Sequence, residues 1–149
     1  MSIYHGPIAQ RYFADEGIIA DAQDVYGFTK NLGEEVCRYA VRSWGMSVNA
    51  LRLCLPLPRE RWNASCHDNS HVYTASDDVA HALIAALKYR RGFEAFMIGS
   101  DQSQTHMNLS KARRLLNWEP RAQPPNVSRP NMKSAALNLL RRLCRRNLA

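Results

Sequence analysis

The chain has 149 residues, enough for one small domain, and its composition, with 46% hydrophobic and 22% charged residues, is that of an ordinary globular protein. Its net charge of +7 is uneven: residues 1–121 carry 14 Lys/Arg against 13 Asp/Glu, and the remainder adds six basic and no acidic side chains. This distribution argues against a nucleic-acid-binding body. The sequence shows no signal peptide, no apolar run long enough to span a bilayer and no CxxC pair among its four cysteines, so we expect a cytoplasmic protein with reduced thiols.

The first half of the chain predicts a loop, a long helix and a buried strand. Residues 7–22 are expected to form a loop with a short helical stretch around Ile8–Ala14. A helix is predicted over about Asp24–Trp44, with Gly45 where a left-handed residue closes the last turn. Val48–Cys54 is rich in apolar residues, which is typical of a buried parallel strand. The apolar residues that recur along the helix with its period are Leu32, Val36, Tyr39, Ala40 and Val41.

A second helix is predicted after residues 55–73, a polar stretch to which no element is assigned. Ser76 or Asp77 is expected to cap this helix, which continues to about Tyr89. Asp77 and Asp78 are interpreted as acids that answer the helix dipole rather than as a catalytic carboxylate pair. The residues expected on its apolar face are Val79, Ala82, Leu83, Ala86 and Leu87.

The strand Phe93–Ile98 and a short helix over Leu109–Leu116, closed by Trp118 and Pro120, are predicted to end the folded body. Residues 122–131 are a Pro-bearing linker, and residues 132–149 predict an amphipathic helix with leucines on one side and arginines on the other. Such a helix can contact anionic membranes or nucleic acid. We favour the alternative in which its leucines pack on the domain and its arginines face solvent.

Tyr26 and Lys30 lie four residues apart in the first turns of the long helix, so their side chains share one helix face. A lysine ammonium beside a phenol stabilises the phenolate through its opposite charge. A tyrosine in that setting can give and take a proton near neutral pH. Because this spacing is also common by chance, the pair depends on its sequence context for support.

Five sequence segments, taken in chain order, carry a resemblance to one known family. They are Tyr26–Glu34, Met46–Pro58, Thr74–Ala82, Ala95–Gly99 and Leu109–Pro120. Together they resemble the extended short-chain dehydrogenases/reductases, the NAD-dependent epimerase/dehydratase family. The first is similar to that family's Tyr-x-x-x-Lys helix, and the second to its next strand with a proline-bearing loop. The others resemble its Asp-Val-Ala helix start, its late strand and its closing Leu-Gly-Trp-x-Pro helix, with Asn117 where glycine is usual.

The resemblance covers only the C-terminal half of the family pattern. The seven glycines form neither G-x-G-x-x-G nor G-x-x-G-x-x-G, the turns that cradle a dinucleotide pyrophosphate at a helix N-terminus. Met1–Gly6 is similar to the strand end that supplies the family's catalytic serine or threonine. That hydroxyl would precede Met1, and Ser2 is close to it but out of register.

The resemblance implies an α/β fold in which residues 1–121 form the C-terminal part of an extended SDR-like domain. Its partial Rossmann-like sheet would lack the N-terminal dinucleotide-binding strands, and the linker and the basic C-terminal helix would follow it. A parallel sheet without its first strands exposes an unpaired edge and apolar faces. Low stability of the isolated chain, or dimerisation, is therefore expected.

The resemblance also implies site residues and a cofactor, NAD or NADP. Tyr26 would be the general acid/base on a substrate hydroxyl or carbonyl. Lys30 would assist the tyrosine and hydrogen-bond the nicotinamide ribose, and the loop at Leu55 and Pro56 would lie along the nicotinamide. The implied substrate is sugar-like or a nucleotide sugar, with hydride transfer to or from the cofactor. Without the glycine turn, tight dinucleotide binding by this chain alone is not expected.

Two further interpretations are retained beside that of an NAD(P)-dependent epimerase, dehydratase or reductase. One is a non-catalytic remnant that acts as a binding or dimerisation module, either as a homodimer or paired with an intact relative. The other is a basic-tailed protein that contacts membrane or nucleic acid. The resemblance offers the long helix as the dimer contact, because family dimers use helices like it.

Several other residues are candidates for structural roles. Cys66, His67 and His71 match no standard zinc spacing, so no metal site is predicted. Arg52 is interpreted either as a structural arginine at a strand end or as a surface arginine. The three tryptophans are expected to be core or lid aromatics: Trp44, Trp62 and Trp118.

Overall fold

The computed structural model describes residues 3–4, 12–64 and 73–122. Five sequence-based predictions lie outside the described residues: Ser2, the start of the helical stretch at Ile8, the Cys66–His71 group, the linker 122–131 beyond residue 122, and the basic helix 132–149. Within the described residues, no helix is long and apolar enough to cross a membrane.

The long helix α1 spans Val25–Trp44 and has a defined cap at each end. At its start, the backbone N–H of Gly27 donates to the Asp24 carboxylate over 2.7 Å, which satisfies one of the free amides of the first turn. At its end, Gly45 adopts a left-handed conformation with φ of 63°, and its N–H donates to the Val41 carbonyl. The predicted bounds and the predicted closing glycine are both confirmed.

A short parallel sheet forms the centre of the structure. Strand β1 (Val48–Leu53) pairs with the last strand, β4 (Phe93–Ile98), in a register that runs from Val48 opposite Phe93 to Leu53 opposite Ile98. A second parallel pair joins β2 (Pro56–Leu57) to β3 (Thr74–Ala75). The helix α2 (Arg59–Ala64) lies between β2 and β3 in the chain. Both predicted strands are thus confirmed, and two short strands and a helix arise where no element was assigned.

Helices cover both faces of the main sheet. Because successive side chains of a strand point to opposite faces, Phe96 and Ile98 pack on one side and Met97 on the other. The first side carries α3 (Ser76–Lys88) and α4 (Ser110–Leu116), and the second carries α1. Asn117 ends α4 in a left-handed conformation with φ of 51°, which explains why it substitutes for glycine there.

The start of α3 differs from the prediction. Ala75 occupies the N-cap position, and neither Ser76 nor Asp77 caps the helix with its side chain. Asp77 instead forms an exposed ion pair with Arg59. The buried Asp78 carboxylate accepts the backbone N–H groups of Arg121 and Ala122, each over 3.0 Å. The acids therefore anchor neighbouring segments, because donors outside the helix (Arg59 and the backbone amides of Arg121 and Ala122) bind their carboxylates.

Other side chains also differ from their predicted positions. Phe13 forms a β-bridge with Met107, so the expected helical stretch does not reach Ala14. Trp62 and Trp118 are buried as predicted, whereas Trp44, the last residue of α1, is 69% exposed and contacts the Tyr39 ring edge-on. On α3, Ala82 and Ala86 face the core, but the larger neighbours on the predicted face do not: Leu83 and Leu87 are exposed.

One edge of β1 has no strand beside it in the described part of the chain. A parallel ladder alternates its hydrogen bonds, and the amides of Val48 and Cys54 face β4, so those of Asn49 and Leu51 face the open edge. Asn49 Nδ2 donates to the carbonyls of Ala86 and Tyr89, while its buried Oδ1 has no hydrogen-bond partner. Asn49 thus ties β1 to the end of α3.

Candidate active site

Tyr26 and Lys30 lie together on the exposed surface of the first turns of α1. The Lys30 ammonium nitrogen is 5.0 Å from the centroid of the Tyr26 ring, which is cation–π contact distance. The tyrosine is 63% exposed, and the lysine is exposed as well. A phenol and an ammonium are thus held next to each other and open to a ligand.

The pair lies at the carboxyl end of the main sheet. The helix runs antiparallel to the strands, because Glu34 reaches Arg52 near the end of β1 and Arg38 reaches Phe93 at the start of β4. Tyr26 precedes Glu34 by eight residues, or about 12 Å of helix. In open α/β sheets, ligands bind in the crevice beyond the carboxyl ends of the strands.

The predicted loop residues occupy the same end of the sheet. Leu55 follows Arg52 by three residues, or about 10 Å of extended chain, which brings it to a height similar to that of Tyr26. Leu55 is half exposed and has a positive φ of 34°, a conformation that is uncommon for a side chain of this size. Pro56 begins β2 opposite Thr74. The chain therefore turns sharply just beyond the strand, where a flat ligand could lie along it.

A buried ion pair supports α1 beneath this end of the sheet. The Arg52 guanidinium donates two hydrogen bonds of 2.8 Å to the two Glu34 carboxylate oxygens, and it also donates to the Tyr4 hydroxyl and the Glu16 carbonyl. Burial alone would lower the pKa of Arg52, but its hydrogen bonds to the Glu34 carboxylate and its electrostatic attraction to Tyr4, Glu34 and Glu16 outweigh burial, so its pKa is raised. Arg52 therefore holds neighbouring segments together near the strand end, which confirms its interpretation as a structural arginine rather than a surface arginine.

Sequence reasoning missed Glu34 as the partner of that arginine. The buried residues of α1 are Gly27, Glu34 and Ala40, which are small or charged. The seven-residue spacing of Gly27 and Glu34 places them on one helix face. A glycine and an acid on one face were the sequence signal that Glu34 could face the interior.

A second supporting feature is the turn after β4, which is organised by the fully buried Asp101 carboxylate. One oxygen accepts the backbone N–H groups of His106 and Met107, over 2.7 and 3.1 Å, and the other accepts the Ser103 hydroxyl. Burial alone would raise the pKa of Asp101, but these hydrogen bonds favour the ionised form and lower it below its usual range. The carboxylate thus fixes a loop at the same end of the sheet as Tyr26.

Replacing Asp101 with Asn is expected to reduce the free energy of unfolding at pH 7 by about 1–3 kcal/mol, because buried amide donors lose a charged acceptor. A carboxyl with a lowered folded pKa contributes stability above its unfolded pKa, about 3.9, and loses it as the pH falls through the folded pKa. Urea unfolding at pH 7, 5 and 3 should show the two proteins converging at low pH. A constant difference across this range would contradict the charge-based account.

The described residues fit part of a dinucleotide. A phenol and a lysine suit the hydroxyl groups of a ribose, but a pyrophosphate needs free amides at a helix N-terminus. The first turn of α1 is capped by the Asp24 carboxylate, and α3 begins with Asp77 and Asp78. These acids oppose phosphate binding, so the two long helices in the described part of the chain offer no pyrophosphate cradle.

No protein-family model matches the sequence, and no curated protein matches it. Solved structures do match the fold. A glucuronic acid dehydrogenase from Chromohalobacter salexigens superposes with a TM-score of 0.67 at 14% identity, over 89% of this chain and 47% of that enzyme. A UDP-N-acetylglucosamine 4-epimerase from Bacillus cereus gives a TM-score of 0.64 at 19% identity, over 82% and 55%.

A uronate dehydrogenase from Agrobacterium tumefaciens superposes with a TM-score of 0.65 at 16% identity, over 85% of this chain and 50% of that enzyme. A point mutant of the same enzyme, complexed with NAD, also matches. This chain therefore spans about half the length of the solved structures that it matches. The predicted resemblance is confirmed at the level of the fold: over its described residues the chain has the Rossmann-like α/β fold of these dehydrogenases and this epimerase.

Proposed function

We propose that this chain carries the Tyr26/Lys30 side of an NAD(P)-dependent dehydrogenase or epimerase site for a sugar-like substrate. The observation that carries the proposal is the exposed pair itself, with the lysine 5.0 Å from the tyrosine ring at the carboxyl end of the sheet. Structural neighbours named as uronate dehydrogenases and a UDP-N-acetylglucosamine epimerase support a sugar or nucleotide sugar as substrate.

In this proposal each residue has one role. Tyr26 accepts the proton of a substrate hydroxyl as the carbonyl forms, and returns it in the reverse direction. Lys30 places positive charge beside the phenol and faces the ribose of the nicotinamide. Leu55 and Pro56 form the apolar wall along the nicotinamide. NAD or NADP, when bound, would supply the hydride acceptor.

The same observations indicate that the site in this chain is incomplete. The acids at the starts of α1 and α3 disfavour phosphate, and the sequence has no glycine turn. We therefore assign this chain the substrate side of the site without the pyrophosphate-binding side.

A calorimetric titration of the purified chain with NAD(H) and NADP(H) tests this division. Micromolar binding is not expected, because neither long helix offers free amides to the pyrophosphate. Any affinity should lie in the millimolar range, about 4 kcal/mol, since only the nicotinamide ribose finds partners. Micromolar binding would contradict the proposal that the chain lacks a pyrophosphate site.

A non-catalytic dimerisation module is the second candidate, and one observation favours it. Along α1, five large apolar residues are exposed at spacings of three or four, which places them in one stripe. They are Val25, Phe28, Leu32, Val36 and Tyr39. A stripe of this kind suits a second copy of the chain or an intact relative, and it does not exclude catalysis at Tyr26.

A further inference from the structure

A groove between α3 and α4 is lined by several basic side chains. Its volume is about 730 Å³, within the usual range for small-molecule sites. It lies on the face of the sheet that carries α3 and α4, whereas Tyr26 belongs to α1 on the other face. The sheet therefore separates the groove from Tyr26.

The groove concentrates positive charge. The residues that line it include four lysine or arginine side chains and one carboxylate, Glu119, for a formal net charge of +3 (4 − 1). The cations are Lys88, Arg113, Arg114 and Arg121, and His81 lines the same wall. Residues 1–121 as a whole carry a net charge of only +1 (14 − 13), so the rest of the body is slightly acidic. The excess positive charge of the body therefore lies in this groove.

One donor in the groove lacks an acceptor. The Nε atom of Arg113 is buried and has no hydrogen-bond partner. The nearest carboxylate, that of Glu119, is 3.7 Å away, beyond hydrogen-bond length, and its side chain is 67% exposed. Buried donors in proteins are nearly always paired with protein, water or a bound ion, and an anion at the Arg113 guanidinium would supply the acceptor that Nε lacks.

The floor of the groove is apolar and rigid. Trp118 is buried there, and its indole N–H donates to the Asp78 carbonyl over 3.1 Å. Tyr89 packs edge-on against Phe96 with ring centroids 5.7 Å apart. Because these rings are held by other contacts, they form a fixed surface below the cations.

We propose that the α3–α4 groove binds a small polyanion, of the organic diphosphate class, with its anionic groups on Arg113 and Arg114. Three net charges call for more than one anionic group, and the planar guanidinium fork matches phosphate oxygens in two-point contacts. The apolar floor accommodates the organic part of the ligand. Because the groove lies away from Tyr26, a ligand there does not compete with a substrate at the candidate active site.

Calorimetric titration with inorganic pyrophosphate at fixed ionic strength tests the proposal on the full chain. The double variant Arg113→Gln/Arg114→Gln is expected to bind at least about tenfold more weakly, which corresponds to the loss of one charged hydrogen bond. The control Arg90→Gln/Arg91→Gln removes the same charge outside this groove and should bind within about twofold of wild type. Equal weakening of both variants, unchanged affinity of the groove variant, or no binding by wild type would overturn the proposal.

A spectroscopic readout on the wild-type chain keeps the test independent of variant folding. The Arg113 Nε–H proton resonance should move downfield as pyrophosphate is added, because the unpaired donor gains a charged acceptor. The shift should saturate at the concentration found by calorimetry. A resonance that stays in place while pyrophosphate binds would locate the anion elsewhere on the chain and overturn the assignment.

Discussion

Replacing Arg52 with Ala is expected to lower the free energy of unfolding by about 3 kcal/mol, because the buried Glu34 carboxylate loses both hydrogen bonds from Arg52 and keeps only Arg38, 3.6 Å away. It also removes the donor to the Tyr4 hydroxyl and the Glu16 carbonyl. A domain of this size has about 5–15 kcal/mol of stability in total, so the loss is a large fraction of it. Urea unfolding followed by circular dichroism measures the change.

Two further variants show whether the cost comes from an orphaned charge. Replacing both partners together, as Glu34→Leu/Arg52→Met, should cost less than Arg52→Ala, since no charge is left unpaired. Arg59→Ala is the matched control, because Arg59 also pairs with an acid, Asp77, but in solvent. Its unfolding midpoint should change little. Similar losses for Arg52→Ala and Arg59→Ala would contradict the account.

The apolar stripe of α1 leads to the second large effect. We expect the chain to be dimeric, and Leu32→Lys/Val36→Lys to raise the dimer dissociation constant at least about 100-fold, because two charges would enter an apolar contact unpaired. Both residues are exposed in the single chain, so the substitutions should leave its fold intact. Light scattering after size-exclusion chromatography over a range of concentrations measures the shift.

A matched control separates the stripe from exposed leucines in general. Leu87→Lys changes a leucine of α3 that is 74% exposed and lies outside the stripe, so its dimer dissociation constant should equal that of wild type. A wild-type chain that stays monomeric at high concentration would contradict dimerisation through α1. Equal effects of the Leu87 and Leu32/Val36 variants would also contradict it.

The sequence predicted the local features of this fold well. The α1 bounds follow from a cap at Asp24 and a glycine at position 45. Both residues act on the backbone next to them, so their effect can be predicted without the rest of the fold. The Tyr26/Lys30 contact follows from four-residue spacing on a helix, which needs no knowledge of the rest of the fold.

The errors arise where the outcome depends on distant parts of the chain. Asp78 was expected to serve its own helix, but it binds amides more than forty residues away. Periodicity identified a stripe on α1 but not which face meets the sheet, since the buried face is marked by Gly27 and Glu34 rather than by large apolar residues. Glu34 and Arg52 are 18 residues apart, and only the packed fold brings them together.

A titration of the ¹⁵N-labelled chain with NADH, followed by amide chemical shifts, tests the central claim most directly. We predict shift changes centred on Tyr26, Lys30 and Leu55 that saturate in the millimolar range. They should disappear in Lys30→Met and persist in Arg42→Met, which removes an exposed charge from the other end of α1. Changes confined to other residues, or none at millimolar NADH, would contradict the assignment of Tyr26 and Lys30 to a cofactor-binding edge.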